Sequence, residues 1–204
     1  MAERTGLVTL RGNPVTLVGN AVKVGDNAPD ATLKGAGLKD VKLSEYKGKV
    51  VILSVVPSLD TPVCDLQSRR FNKEAGTLGD KAAVLTVSMD LPMAQARWCG
   101  AADAKNIVTL SDYKDRQFGQ AWGLYMKENG LLARAVYVVD KAGIIRMKHI
   151  GPISPEVWKE KFEPKLKLPP HQQKCGVFSL ISIGGKNGTQ LSIRQVESLL
   201  LGLS

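Results

Sequence analysis

Several things are scarce in this sequence, and each scarcity excludes something. Three cysteines in 204 residues are too few to staple a fold with disulfides. No Cys-x-x-Cys pair is present, which argues against a general disulfide oxidoreductase. The two histidines, His149 and His171, have no ligand-like companions, and no Cys or His cluster has metal spacing, so neither metal nor cofactor is expected. No apolar run approaches the roughly eighteen residues of a membrane span. The opening MAERTGLVTLRGNP lacks a basic region followed by an apolar stretch, so no secretory signal is expected and a cytoplasmic location is. The run Gly184-Gly185-Lys186-Asn187-Gly188 lacks the Gly-x-x-x-x-Gly-Lys spacing of a phosphate loop and reads as a turn. No internal repeat is present.

What is abundant is positive charge, a net +9. Residues 141–174 carry eight Lys or Arg against three Glu, so more than half of the surplus lies near the C-terminus. That stretch has few aromatics and no nucleic-acid motif, so a solvated basic surface is expected and no nucleic-acid partner. Hydrophobic content of 44% and charged content of 23% are those of a globular protein with an ordinary core.

Alternating apolar runs and turn residues predict a β-hairpin over 8–19 around Gly12-Asn13-Pro14, then a loop-like segment over 22–33 and a strand over 39–43. Residues 50–56 are a continuous β-branched run, fit for a central strand covered on both faces and ended by Pro57. A helix is expected from Pro62 to about Gly76, capped by Asp60 or Thr61. A buried strand follows over 83–88, then a helix opened by Asp90-Leu91-Pro92 and closed at Gly100. A short strand over 107–110 and a helix over 114–122 come next. Strands over 135–139 and 144–148 flank the hairpin turn Asp140-Lys141-Ala142-Gly143, and a helix over 155–162 ends the series. This alternation predicts an α/β fold, a mixed sheet with helices on both faces. From Pro164 the prolines and lysines read as an extended linker. Beyond it, 176–204 holds an apolar stretch and a possible helix over 192–201. The expected organisation is a domain over 1–163 and an extension of unassigned role over 164–204.

The chemistry concentrates in Pro57-Ser58-Leu59-Asp60-Thr61-Pro62-Val63-Cys64, between the buried strand and the next helix. With Pro62 as first helical residue, Cys64 lies in the first turn, where free backbone N–H groups and the positive end of the dipole favour the thiolate. The thiolate is the nucleophilic form of cysteine. Thr61 offers a hydroxyl to a thiolate or a peroxide oxygen, and Pro57 restricts the loop.

Pro57, Thr61 and Cys64 form Pro-x-x-x-Thr-x-x-Cys, and this resembles the active-site motif of the peroxiredoxin family. The longer PSLDTPVCDLQSRRFN is similar to the thiol peroxidase branch, the atypical two-cysteine type. Three further segments resemble the same branch: VTLRGNPVTLVGNAVKVGDNAPDATL, SMDLPMAQARWCGA and LLARAVYVVDKAG. The likeness runs from about residue 7 to 150.

The resemblance implies a thioredoxin-like fold with an N-terminal hairpin and a peroxidase acting on hydrogen peroxide and organic hydroperoxides. It implies that Cys64 attacks the peroxide and becomes a sulfenic acid, that Thr61 hydrogen-bonds thiolate and peroxide, and that Pro57 shields the sulfur. It places Arg134 beside the sulfur to stabilise charge in the transition state. It makes Cys99 the resolving cysteine, joined to Cys64 in an intramolecular disulfide that thioredoxin reduces, in a homodimer. A disulfide needs Cα atoms within about 7 Å, so local unfolding of the 90–100 helix is expected to accompany turnover. Cys175 matches nothing in the family and reads as an incidental thiol. Family members end soon after the helix over 155–162, so the extension is a departure. A redox relay that passes oxidation to a partner protein shares the chemistry up to the sulfenic acid. A non-catalytic binding module on the same fold would leave the set Pro57, Thr61, Cys64, Cys99 and Arg134 without a purpose.

Overall fold

A computed structural model describes residues 1–162 and Pro164. His171, Cys175, the 184–188 turn, the 192–201 helix and the domain boundary expected after residue 163 lie outside the described residues. In chain order the elements are β1 (Glu3–Leu10), β2 (Asn13–Val18), β3 (Thr32–Lys34), β4 (Asp40–Lys42), β5 (Val50–Val55), α1 (Pro62–Leu78), β6 (Ala82–Ser88), α2 (Pro92–Ala102), β7 (Val108–Ser111), α3 (Gln117–Ala121), β8 (Tyr125–Met126), β9 (Ala135–Val139) and β10 (Ile145–Ile150). A short helix α4 (Pro155–Val157) passes into a π-helical turn over Trp158–Phe162.

Seven strands form one mixed sheet in the order β10-β9-β5-β6-β7-β3-β4. β5 lies near the middle, parallel to β6 and antiparallel to β9. Every residue of β5 is buried, as a strand covered on both faces requires. Val51, Leu53 and Val55 face a core that includes Leu17 of β2 and Phe118 and Trp122 at α3. Ile52 faces a second core with Phe71 and Ala75 of α1, Val136 of β9 and Trp158. The fold is thioredoxin-like, with helices on both faces of the sheet.

The N-terminal hairpin β1–β2 belongs to a separate three-stranded sheet completed by β8. Gly19 fastens its end: at φ +100° a Cβ there would sit 2.0 Å from the Gln120 carbonyl oxygen, so only glycine lets the two backbones meet.

Some boundaries differ from the sequence expectation. The 22–33 segment contains the start of β3, a three-residue strand held by pairing with β4 and, at Lys34–Ser111, with β7. α3 is shorter than the 114–122 pattern because Arg116 takes a left-handed conformation before it. Gly100 does not close α2. The helix continues through Ala101 and Ala102, both strong helix formers, and Asp103 at φ 49° is the left-handed cap, its N–H donating to the Cys99 and Gly100 carbonyls.

Candidate active site

β5 and β9 run antiparallel with Val55 opposite Ala135, so the end of β5 and the start of β9 share one edge of the sheet. The loop after β5 leads into α1, and Arg134 immediately precedes β9. This geometry brings together two residues separated by 70 positions: Arg134 Nη2 donates to Cys64 Sγ at 3.0 Å.

Cys64 is the third residue of α1 and is fully buried, packed with Val56 and Leu59 and against Trp98. The first intrahelical bond runs from Asp65 N–H to the Thr61 carbonyl, and Pro62 has no N–H. The amides of Val63 and Cys64 therefore precede the helical ladder and leave partial positive charge at the sulfur's end of the helix. A guanidinium and a helix N-terminus both favour negative charge on Sγ.

A buried relay holds the guanidinium. Arg134 Nη1 donates to Gln67 Oε1 at 2.8 Å, and Gln67 Nε2 donates to Ser54 Oγ at 2.9 Å. Gln67 lies one helical turn after Cys64, and Ser54 is a polar residue within the all-buried β5. The Arg134 carbonyl accepts from Gly151 N–H at 2.9 Å, which fixes the backbone as well.

Pro57 is half-buried at the end of β5. With Arg134, Val63, Val8, Leu10 and Met126 it lines a mostly apolar cavity of about 230 Å³ between the hairpin and the sulfur loop. Thr61 is the exposed N-cap residue, and its hydroxyl donates to the Ser58 carbonyl at 3.1 Å, within the loop. Asp90 anchors that loop: its carboxylate accepts from Ser58 Oγ and Leu59 N–H, both at 2.7 Å, and from Ser88 Oγ at 2.8 Å.

Cys99 is on α2, partly buried, with Sγ 3.6 Å from Thr109 Oγ1. Cys64 and Cys99 are both free thiols, and the structure does not join them. Their neighbours do touch: Trp98 Nε1 donates to Asp65 Oδ1 at 2.9 Å. Arg69 adds bonds of 2.9 Å to both Asp65 carboxylate oxygens and lies over the Trp98 ring, 5.9 Å from its centroid. The Arg69 hydrogen bond, with that of Trp98, holds the Asp65 carboxyl below the usual carboxylate range despite its partial desolvation.

Ser54, Asp65, Gln67 and Trp98 were given no role at the site from the sequence, and Asp90 was read only as opening the second helix. Only Ser54 carried a local signal, as the polar residue within an apolar strand. Among the described residues no group of three or more His, Cys, Asp or Glu could hold a metal, and no helix is long and apolar enough to cross a membrane.

The family model described as Redoxin matches residues 23–164. The chain is 57% identical over 136 residues to a thiol peroxidase of Bacillus subtilis, an alignment covering 67% of this chain and 81% of that protein. It is 52% identical over 145 residues to a thiol peroxidase of Listeria monocytogenes, covering 71% and 87%. A crystal structure of a peroxiredoxin-like protein from Aquifex aeolicus superposes with a TM-score of 0.67 at 39% identity, covering 73% of this chain and 86% of that one. With most of its length matched to the redoxin model and relatives more than half identical to it, the chain belongs to the peroxiredoxin family, in its thiol peroxidase branch.

Proposed function

We propose that the protein reduces hydrogen peroxide and organic hydroperoxides with Cys64 as nucleophile and Cys99 as resolving cysteine, and that thioredoxin restores it. As a peroxiredoxin of the thiol peroxidase branch it is a peroxidase, an oxidoreductase that takes peroxide as its oxidant. The observation that carries the residue assignment is the 3.0 Å approach of Arg134 Nη2 to Cys64 Sγ in the first turn of α1.

The Cys64 thiolate attacks the terminal peroxide oxygen. An S–O bond forms, the O–O bond breaks, and the departing alkoxide or hydroxide takes a proton and leaves as alcohol or water. Negative charge moves from sulfur to the leaving oxygen, and Arg134 lies where a fixed cation stabilises that movement most. Thr61, released from the Ser58 carbonyl by rotation of its side chain, turns its hydroxyl to the peroxide, and Pro57 screens the sulfenic acid. The Cys99 thiolate then attacks the sulfenic sulfur, so that an S–S bond forms and hydroxide leaves as water. Thiol–disulfide exchange with thioredoxin reduces the disulfide. The apolar cavity beside Arg134 suits the carbon chain of an alkyl or lipid hydroperoxide.

This reading includes a cytoplasmic homodimer with residues 1–163 as the catalytic domain. Val63 and Leu66, 56% and 68% exposed beside the sulfur, are apolar surface that a second copy would cover.

Peroxide-dependent NADPH oxidation, driven through thioredoxin and its reductase, tests the cycle. Cys64→Ser and Cys99→Ser are each expected to abolish turnover, while Cys99→Ser still consumes one equivalent of peroxide. Full turnover by Cys64→Ser would overturn the assignment.

A further inference from the structure

We infer that the hydrogen bond between Trp98 and Asp65 is a latch on the resolution step, whose release sets how fast Cys99 reaches Cys64. The inference rests on the reading of Cys99 as resolving cysteine.

Asp65 directly follows Cys64, and Trp98 directly precedes Cys99. Their 2.9 Å bond therefore ties the two sulfur-bearing segments through their immediate neighbours. The Trp98 ring also packs against the cluster that encloses Cys64, so it occupies space at the buried sulfur that Cys99 has to approach. Arg69 secures the carboxylate from the other side and covers the ring.

While Trp98, Cys99 and Ala102 are only partly buried where they pack against the second core, α2 is fixed chiefly in its first half. Its fully buried residues are Pro92 and Gln95, both in its first half, where Gln95 donates to Ser88 Oγ and the Leu110 carbonyl at 2.9 Å each. An eleven-residue helix has little stability of its own. At the Cys99 end, beside the long 3.6 Å contact of Cys99 Sγ with Thr109 Oγ1, the Trp98 bond is the polar tie to α1, and the last turn of α2 swings towards Cys64 only when that bond breaks and the ring withdraws.

The latch has a chemical consequence. A Cys64 sulfenic acid that waits for Cys99 is open to a second hydroperoxide, which oxidises it to the sulfinic acid and leaves as alcohol or water. A longer-lived latch lowers the peroxide concentration at which this side reaction competes. Asp65 and Trp98 are positioning residues in this scheme: Trp98 packs beside Cys64, but neither side chain exchanges a proton or a bond with peroxide or sulfur.

Rapid mixing with hydrogen peroxide, followed by acid quench and mass spectrometry, resolves sulfenic acid, disulfide and sulfinic acid in the full chain. Trp98→Phe retains a ring in the packing but removes the N–H donor, and Asp65→Ala removes the acceptor. Both are expected to accelerate disulfide formation about three- to tenfold, the range over which one net hydrogen bond works. Both should raise the peroxide concentration for half-conversion to sulfinic acid in proportion. The first oxidation of Cys64, measured on a Cys99→Ser background, should stay within about twofold, which the three- to tenfold effect exceeds. Unchanged or slower disulfide formation in Trp98→Phe would overturn the latch. Absence of any Cys64–Cys99 disulfide in the wild type would instead overturn the resolving role on which it rests.

Discussion

Gln67 and Arg134 are joined by a 2.8 Å hydrogen bond in which a neutral side chain on α1 orients the cation that serves the cysteine one helical turn before it. Arg134 thus spends one terminal nitrogen on position and the other on sulfur. Lysine offers a single ammonium and cannot do both. Arg134→Lys is expected to slow Cys64 oxidation by about 10- to 100-fold, read by stopped-flow mixing with hydrogen peroxide. Gln67→Leu, which leaves the guanidinium half-held, should slow it by about 3- to 30-fold. Gln67→Glu keeps the hydrogen bond but sets a carboxylate against the cation, so it should also leave Cys64 oxidation slowed. A Gln67→Leu rate within about twofold of the wild type would mean that Gln67 does not act through Arg134.

Asp90 is expected to matter for stability before chemistry. Its carboxylate accepts three donors, one of them the backbone N–H of the buried Leu59. Asp90→Ala takes the acceptor from all three donors, leaving the Leu59 N–H unpaired, and should cost about 2–4 kcal/mol, since a buried unpaired donor and lost charge-assisted bonds add up. Urea unfolding would show a lower midpoint at an unchanged slope. A midpoint shift worth less than about 1 kcal/mol would contradict this accounting.

Asp112 supplies a pH dependence. It is 3% exposed, and burial pushes its carboxyl up to about 6, although the Phe118 and Gly119 N–H groups at 3.1 and 2.8 Å favour the ionised form. An acid whose value is raised by folding stabilises the fold most when it is protonated in both states. Its contribution is full below pH 3.8 and is lost as pH rises through about 6. The amount is about 3 kcal/mol. Asp65 and Asp140, whose carboxyls folding lowers, tilt the curve the other way, so a difference curve is needed. The stability of wild type minus that of Asp112→Asn should fall between pH 4 and 7; a flat difference would rule this out.

Gly19→Ala tests the seam between the hairpin and the main body. The new Cβ meets the Gln120 carbonyl at 2.0 Å on a backbone that L-residues avoid. A loss of about 2 kcal/mol or more is expected in thermal or denaturant unfolding. A tolerated alanine would show that the seam opens freely.

The central strands and the sulfur-bearing helix were legible because their signals are local. β5 is apolar but for Ser54, α1 begins at a proline, and β9 coincides with its predicted span. β3 and β8 are three and two residues long, and pairing with other strands, β4 and the remote β7 for β3 and the remote β2 for β8, makes them strands where composition does not. The site divides in the same way. Cys64 in a first helical turn follows from Pro62, whereas Arg134 read alone is one charge before a strand, and only likeness to a family marks it. The Trp98–Asp65 bond spans 33 positions and leaves no periodic trace. Such contacts are properties of the closed fold.

The antiparallel seating of β9 against β5 also sets an order of events during synthesis. Cys64 emerges from the ribosome long before Arg134, and the cation reaches the sulfur only when β9 has been made and has paired with a strand more than seventy residues upstream. Until then the nascent chain carries this thiol without its guanidinium. The polypeptide thus passes through translation with the two halves of the site apart, and the last central strand to be added is the one that unites them.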